Sequence, residues 1–252
     1  MTHNLPTLDG HAHIDYTRGE SDLSTCGGIL AMTLSLEEAS HAVARHDRGI
    51  AWGVGCHPGD VDAQKAFDPK QFAELIKRSA VVGEIGLDKK SQVPFEAQVK
   101  TFRTILEIVS DSPRLVSIHS NHATAEVLDE LDRRHISVPV LHWWSGSRTR
   151  TKAAVHIGCY FSVNPRIAQY SLFSMFVPLD RIFIETDRGY DDSPGEIPAI
   201  IESTELIVAA KYEVQALTLR RAAWSNLSSI MKILDGAPQL PETLKHQSEN
   251  VG

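Results

Sequence analysis

The sequence predicts an α/β fold: a (β/α)8 barrel, the TIM-barrel arrangement, built as a single domain. Three observations carry that expectation. The chain has 252 residues, a length typical of one such barrel. Eight short runs rich in β-branched residues alternate with longer stretches of helical period. A doubly wound sheet would usually carry a glycine-rich phosphate loop after its first strand, and here that place holds Asp9-Gly10-His11-Ala12-His13.

The strand candidates are residues 7–14, 28–34, 50–56, 80–87, 114–119, 137–142, 158–163 and 181–186. Helices are expected between them. Residues 36–47 place Glu37 and Glu38 in the first turn, where the helix dipole favours acids. Residues 68–77 begin Asp68-Pro69, a cap followed by proline at the first helical position. In residues 94–110, Phe95, Val99, Phe102, Leu106 and Val109 recur at spacings of three and four. Further helices are expected at 122–134, 148–157, 169–176, 197–211 and 214–234. The barrel domain spans residues 1–235, and the polar segment 236–252, with two prolines, is read as a flexible tail.

A net charge of −7 argues against a protein that coats nucleic acid generally, but leaves room for a local basic patch. Cys26, Cys56 and Cys159 are odd in number and lack CxxC spacing, which fits free thiols in a reducing compartment. No apolar run approaches the ~20 residues of a membrane helix. The first residues lack the basic and apolar regions of a signal peptide. The expectation is a cytoplasmic protein with no membrane partner.

Active sites of such barrels form at the C-terminal ends of the strands. His11 and His13 share a face if their run is a strand, since side chains at i and i+2 point the same way. The third run ends in Cys56-His57-Pro58, and the fourth carries Glu84 and Asp88. The fifth ends in His119, the sixth in His142 and the eighth in Glu185-Thr186-Asp187. Taken singly, His119 or His142 reads as a hydrogen-bonded core histidine, and Glu84 as a buried acid paired with an arginine. Their coincidence on one rim is what points to metal. Imidazoles and carboxylates together suit a pair of divalent ions such as Zn²⁺, Mn²⁺ or Mg²⁺.

With these residues in view, the chain resembles the TatD-like metal-dependent hydrolases, the TatD DNases of the amidohydrolase superfamily. The resemblance runs from about Leu8 to Leu234. It rests on Asp9-Gly10-His11-Ala12-His13, Gly55-Cys56-His57-Pro58, Gly83-Glu84-Ile85-Gly86-Leu87-Asp88, Ile118-His119-Ser120, Leu141-His142-Trp143-Trp144-Ser145-Gly146, Ile184-Glu185-Thr186-Asp187 and the late Ser225-Asn226-Leu227. It implies that His11 and His13 bind a first metal, His119 and His142 a second, and that Glu84 bridges both. Asp187 would bind the first metal and orient or deprotonate the attacking water. His57 would contact a phosphate oxygen or assist the leaving group, and Asp88 would hold a ligand histidine in its tautomer. Glu84 stands where phosphotriesterase-like relatives generally use a carbamylated lysine.

The sequence departs from the family pattern beside the ligands. Gly86-Leu87-Asp88 continues with Lys89-Lys90 in place of two tyrosines, His119-Ser120 with Asn121 in place of arginine, and His142 with Trp143-Trp144 in place of Cys-Phe. Glu185-Thr186-Asp187 continues with Arg188-Gly189-Tyr190 in place of Ala-Pro-Tyr. Lys89, Lys90, Arg148, Arg166, Arg188 and Arg18 all follow strand ends, so either the rim of an acidic protein is basic and suits a polyanion, or these are ordinary solvated loop charges. One of Trp143 and Trp144 is expected to stack a base, the other to pack beneath the rim. The implied activity is a deoxyribonuclease, a 3′–5′ exonuclease on single-stranded or terminal DNA. The alternatives are hydrolysis of a small phosphorylated or amide substrate, and a nuclease subunit of a multiprotein antiphage complex, as divergent TatD-like proteins such as QatD would imply.

Overall fold

The computed structural model describes residues 5–19, 27–170, 173–189 and 196–251. Its eight strands each fall within a predicted run. They are β1 (Leu8–Ala12), β2 (Gly28–Ala31), β3 (Ile50–Trp52), β4 (Val81–Gly86), β5 (Leu115–His119), β6 (Val138–Leu141), β7 (Tyr160–Val163) and β8 (Ile182–Ile184). All pair in parallel, in the runs β1-β2-β3 and β4-β5-β6-β7-β8. A parallel bridge between Val54 and Val82 joins the two runs. At the other seam, Asp187 N–H donates to His11 O at 3.0 Å and His13 N–H to Arg188 O at 2.7 Å, closing the barrel.

The core has two layers because each strand is covered on both faces, which is why the strands read as continuous apolar runs. One layer draws a side chain from every strand: Leu8, Leu30, Ala51, Val81, Leu115, Val138, Tyr160 and Phe183. The opposite strand faces, including Ile29, Trp52, Val82, Ile85, Val116, Leu141, Phe161 and Ile184, pack with helix residues such as Phe72, Phe102, Leu106, Val127 and Ile201.

The helices are α1 (Leu36–Ala42), α2 (Val61–Ala66), α3 (Pro69–Leu75), α4 (Phe95–Ser110), α5 (Thr124–Arg133), α6 (Arg148–Ile157), α7 (Pro165–Tyr170), α8 (Ile197–Lys211), α9 (Ala216–Ile233) and α10 (Glu242–Glu249). Their starts follow the local chemistry. Ser35 Oγ caps the Glu38 N–H while Glu38 Oε2 accepts from Leu34 N–H, a capping-box arrangement. Asp68 caps α3 and Ser147 caps α6. The expected helix at 169–176 is placed earlier, as α7, and residues 171–172 lie outside the described residues, as does Cys26. Helix α2 escaped prediction because it is short and buries only Ala63, so it leaves no periodic signal. Cys56 and Cys159 are buried free thiols, both pushed up to about 12 by burial. Among the described residues no helix is long and apolar enough to cross a membrane.

The segment 236–252 was expected to be a flexible tail, and the structure corrects this. Helix α10 docks on α9, with Leu244 and Ser248 fully buried and Leu240 nearly so. A methyl added to Gly28 would lie 2.3 Å from Leu244 Cδ2 and 3.1 Å from Trp224, so the helix fills the space at the start of β2. Leu240, Leu244 and Ser248 recur every four residues, a stripe too sparse to stand out from polar neighbours.

Two outcomes follow. Leu244→Ala should lower the unfolding free energy by about 2–5 kcal/mol, the cost of a buried leucine truncation, measured by urea denaturation. Glu38 supplies a pH test. Burial raises its carboxyl from 4.5 to about 7, and its Oε1 has no hydrogen-bond partner. The folded state therefore binds this proton more tightly than the unfolded chain, so stability falls as pH rises from 4.5 toward 7. Glu38→Gln should flatten that fall by up to about 1.4 kcal/mol per pH unit, read from denaturation curves across the window.

Candidate active site

The strand ends bring His11, His13, His57, Glu84, His119, His142 and Asp187 to one mouth. Glu84 is at the centre. Its Oε2 lies 3.0 Å from His13 Nε2 and 3.6 Å from His11 Nε2. Its Oε1 lies 2.6 Å from His119 Nδ1, 2.8 Å from His142 Nε2 and 3.4 Å from His57 Nε2. Each carboxylate oxygen thus faces a different group of imidazoles. Glycines make room for this. At Gly86, with φ +139°, an added Cβ would lie 2.1 Å from His119 O, so only glycine lets β4 run this close to β5.

The second nitrogen of each ring fixes its role. His13 Nδ1 is 3.1 Å from Met32 O, an acceptor only, so Nδ1 carries a proton and Nε2 is the nitrogen turned to Glu84. His11 Nδ1 is 2.8 Å from Ser117 Oγ. His119 Nε2 is 3.2 Å from Asp88 Oδ2, leaving Nδ1 for the centre. Asp88 is itself held: Oδ1 accepts from Lys90 N–H and Asn121 Nδ2, and its own N–H donates to Gln98 of α4 at 2.7 Å. Burial would raise Asp88, but the His119 contact and the donated hydrogen bonds outweigh it and hold the carboxyl at about 2. His57 differs. Its Nδ1 accepts from Gly59 N–H at 3.0 Å, so the neutral ring carries its proton on Nε2 and faces the centre as a donor.

Asp187 has a positive φ of 51°, and its Oδ1 lies 3.7 Å from His11 Nε2 and 3.9 Å from His13 Nε2. Burial raises its carboxyl to about 6. Burial, then the neighbouring His142 charge, lowers His11 to about 4. Burial alone would raise Glu84 too, but the surrounding histidines hold it well below the usual carboxylate range. Burial likewise opposes charge on His142, while Glu84 and Glu185 hold its ring well above the usual imidazole value. The pocket therefore stabilises positive charge at its centre. Lone pairs and carboxylates converging there fit divalent ions, which would displace those protons. Among the described residues, three sets have ligand atoms mutually within 4.8 Å: His11, His142 and Glu185; His11, His13 and Glu84; His57, Glu84 and His119.

Two supporting acids had no role in the sequence reading. Glu185 is fully buried, with Oε1 accepting Trp143 N–H at 2.9 Å, Oε2 accepting from Ser162 Oγ, and Oε2 3.6 Å from His142 Nδ1. Asp9 accepts from Thr186 N–H at 3.0 Å and Thr186 Oγ1 at 2.6 Å, tying β1 to the end of β8. Position relative to the ligands was the available signal, since each lies two residues before one.

The rim requires correction. Arg188, expected to face substrate, is buried and paired with Glu196 Oε2 at 3.0 Å, while its backbone carbonyl serves the barrel seam. Lys89 is ion-paired with Glu126, which offsets its charge. Lys90 and Arg148 are exposed. Trp144 is buried, donating to Thr151 Oγ1 at 2.9 Å, and Trp143 is partly exposed.

A parallel barrel whose mouth converges histidines and carboxylates on one carboxylate defines a metal-dependent hydrolase. The chain belongs to the TatD related DNase family, whose model matches residues 8–232. It is 26% identical over 195 residues to the 3′-5′ ssDNA/RNA exonuclease TatD of Escherichia coli K12, covering 69% of this chain and 75% of that protein. It is 25% identical over 215 residues to an uncharacterized metal-dependent hydrolase of Buchnera aphidicola, covering 73% and 78%. In structure it is similar to the TatD homologue YJJV of Escherichia coli K12, with TM-score 0.75, 20% identity, and 89% and 97% of the two chains covered. A TatD family hydrolase of Entamoeba histolytica gives TM-score 0.74 at 14% identity, covering 89% and 97%.

Because both oxygens of Glu84 face imidazoles, Glu84→Ala should reduce bound divalent metal more than any single histidine-to-alanine change. Elemental mass spectrometry after reconstitution and desalting measures this. Metal content equal to wild type would contradict a shared carboxylate.

Proposed function

We propose that the protein is a metal-dependent phosphodiester hydrolase, a 3′–5′ exonuclease acting on single-stranded or terminal DNA through two divalent ions. The observation that carries the reading is Glu84, whose Oε2 faces His11 and His13 while Oε1 faces His119 and His142. His11, His13, Glu84 and Asp187 would hold one ion; Glu84, His119 and His142 would hold the other. Zn²⁺, Mn²⁺ and Mg²⁺ all suit a mixed imidazole–carboxylate set. When bound, such ions lower the pKa of water from 15.7 to about 7 and neutralise phosphoryl and leaving oxygens. Asp187, at the open side of the site, accepts the proton of the attacking water. His57 presents Nε2–H to a phosphate oxygen or to the departing oxygen. Relatives named as ssDNA/RNA exonucleases support this substrate class and add single-stranded RNA to it.

The test is a nuclease assay of metal-reconstituted protein on single and double strands labelled at either end. Asp187→Asn should reduce kcat by about 10²–10⁴-fold, the range for loss of a general base, and His11→Ala should do at least as much. Wild-type activity in both variants would exclude this site. Hydrolysis of bis(para-nitrophenyl) phosphate without cleavage of any oligonucleotide would instead favour a small substrate.

A further inference from the structure

Positive charge around the mouth is unevenly placed. On the β4 and β8 sides, Lys89 is paired with Glu126 and Arg188 with Glu196, which leaves Lys90 as a single exposed cation there. The β6–β7 side is different. Helix α6 begins Arg148-Thr149-Arg150-Thr151-Lys152 and contains no acidic residue. Arginines in a first turn oppose the helix dipole, and like charges four apart repel, so this charge works against the helix that carries it.

Aromatic rings hold these cations in place. The Arg148 guanidinium lies 5.0 Å and Lys152 Nζ 5.7 Å from the centre of the Phe176 ring. The Arg166 guanidinium lies 5.4 Å from that of Trp143. Among the described residues, Arg148, Lys152 and Arg166 have no carboxylate partner, and all three are exposed. Trp143 follows His142 directly. It has a positive φ of 43°, rare for a bulky residue, and its N–H is held by Glu185. The backbone of Trp143 is thus fixed directly after His142, and its partly exposed indole lies against Arg166.

We propose that the substrate strand crosses the β6–β7 side of the mouth, where Arg148, Lys152 and Arg166 bind its phosphates and Trp143 stacks an unpaired base. This rests on the nuclease reading above. Cations alone would serve any polyanion. A partly exposed indole in contact with Arg166, one residue after His142, suits one that offers a flat π-face next to a phosphate, which is a single-stranded nucleic acid. Stacking is tolerant of base identity, as an enzyme that degrades a strand stepwise requires.

The experiment measures binding of a fluorescently end-labelled oligothymidylate by anisotropy, using full-length metal-loaded protein in an Asp187→Asn background that blocks turnover. Combined Arg148→Ala, Lys152→Ala and Arg166→Ala changes should reduce the slope of log Kd against log salt by about 2, since each single-strand phosphate contact contributes about 0.7. Trp143→Ala should weaken binding by about tenfold or more. Trp143→Phe should restore most of it, and the Trp143→Ala loss should vanish on an abasic strand. Lys100→Ala, on the exposed face of α4, should change nothing. If wild type cleaves oligonucleotides but the triple variant keeps the full salt slope, or Trp143→Ala weakens abasic and normal strands equally, the path is wrong and the nuclease reading stands. If wild type hydrolyses bis(para-nitrophenyl) phosphate yet neither binds nor cleaves any oligonucleotide, both fall.

Discussion

The buried charge of Glu84 is the constraint around which the mouth is organised. A carboxylate out of water costs several kcal/mol unless compensated, and the compensation here comes from the ends of other strands. His11 comes from β1 and His13 from directly after it, His57 from the loop after β3, His119 from β5 and His142 from directly after β6. None is near Glu84 in sequence, so only the closed barrel supplies them. The same arrangement that makes the unpaired carboxylate costly makes a cation at its oxygens favourable.

That dependence passes outward through the second nitrogen of each ring. Ser117 holds His11, the Met32 carbonyl holds His13, Asp88 holds His119, and Glu185 lies beside His142. Such partners hold the rings in orientation, so one nitrogen of each is turned inward before any ligand arrives. The frame is pinned in turn. Asp9 clasps Thr186 across the seam, and Asn226 of α9 donates to Leu179 O at 3.0 Å and Ile182 O at 2.9 Å, fixing the entry to β8. The late asparagine of the sequence motif therefore acts on the strand that carries Asp187, from the far end of that strand.

The eight strands were legible because burial on both faces leaves unbroken apolar runs, and the histidines and acids stood out where such runs ended. What stayed illegible depended on partners distant in sequence. Nothing around Arg188 announces Glu196, and nothing around Lys89 announces Glu126, so both read as open cations. Leu240 and Leu244 read as a polar tail because their burial needs Trp224 and Gly28 on the other side. Glu185 was visible as a residue but not as a role, since its partners Ser162, Trp143 and His142 converge only in space.

A net charge of −7 would not exclude the proposed polyanionic substrate, because screening makes charge a local property. At physiological ionic strength the Debye length is about 8 Å, so acids elsewhere on the barrel barely reach a strand lying at the mouth. What that strand meets is decided by which nearby cations lack acids of their own. Structure therefore divides the labour between two kinds of position. The residues that face Glu84 sit on or next to strands, and changing one disturbs the whole centre. Arg148, Lys152, Arg166 and Trp143 sit on the loops and helices beyond β6 and β7, where replacement costs the core little. Of the substitutions beside the central residues, Trp143 falls in that second kind of position, whereas Trp144 and Arg188 are buried and partnered, so only the first can be exchanged without disturbing the packing around the centre.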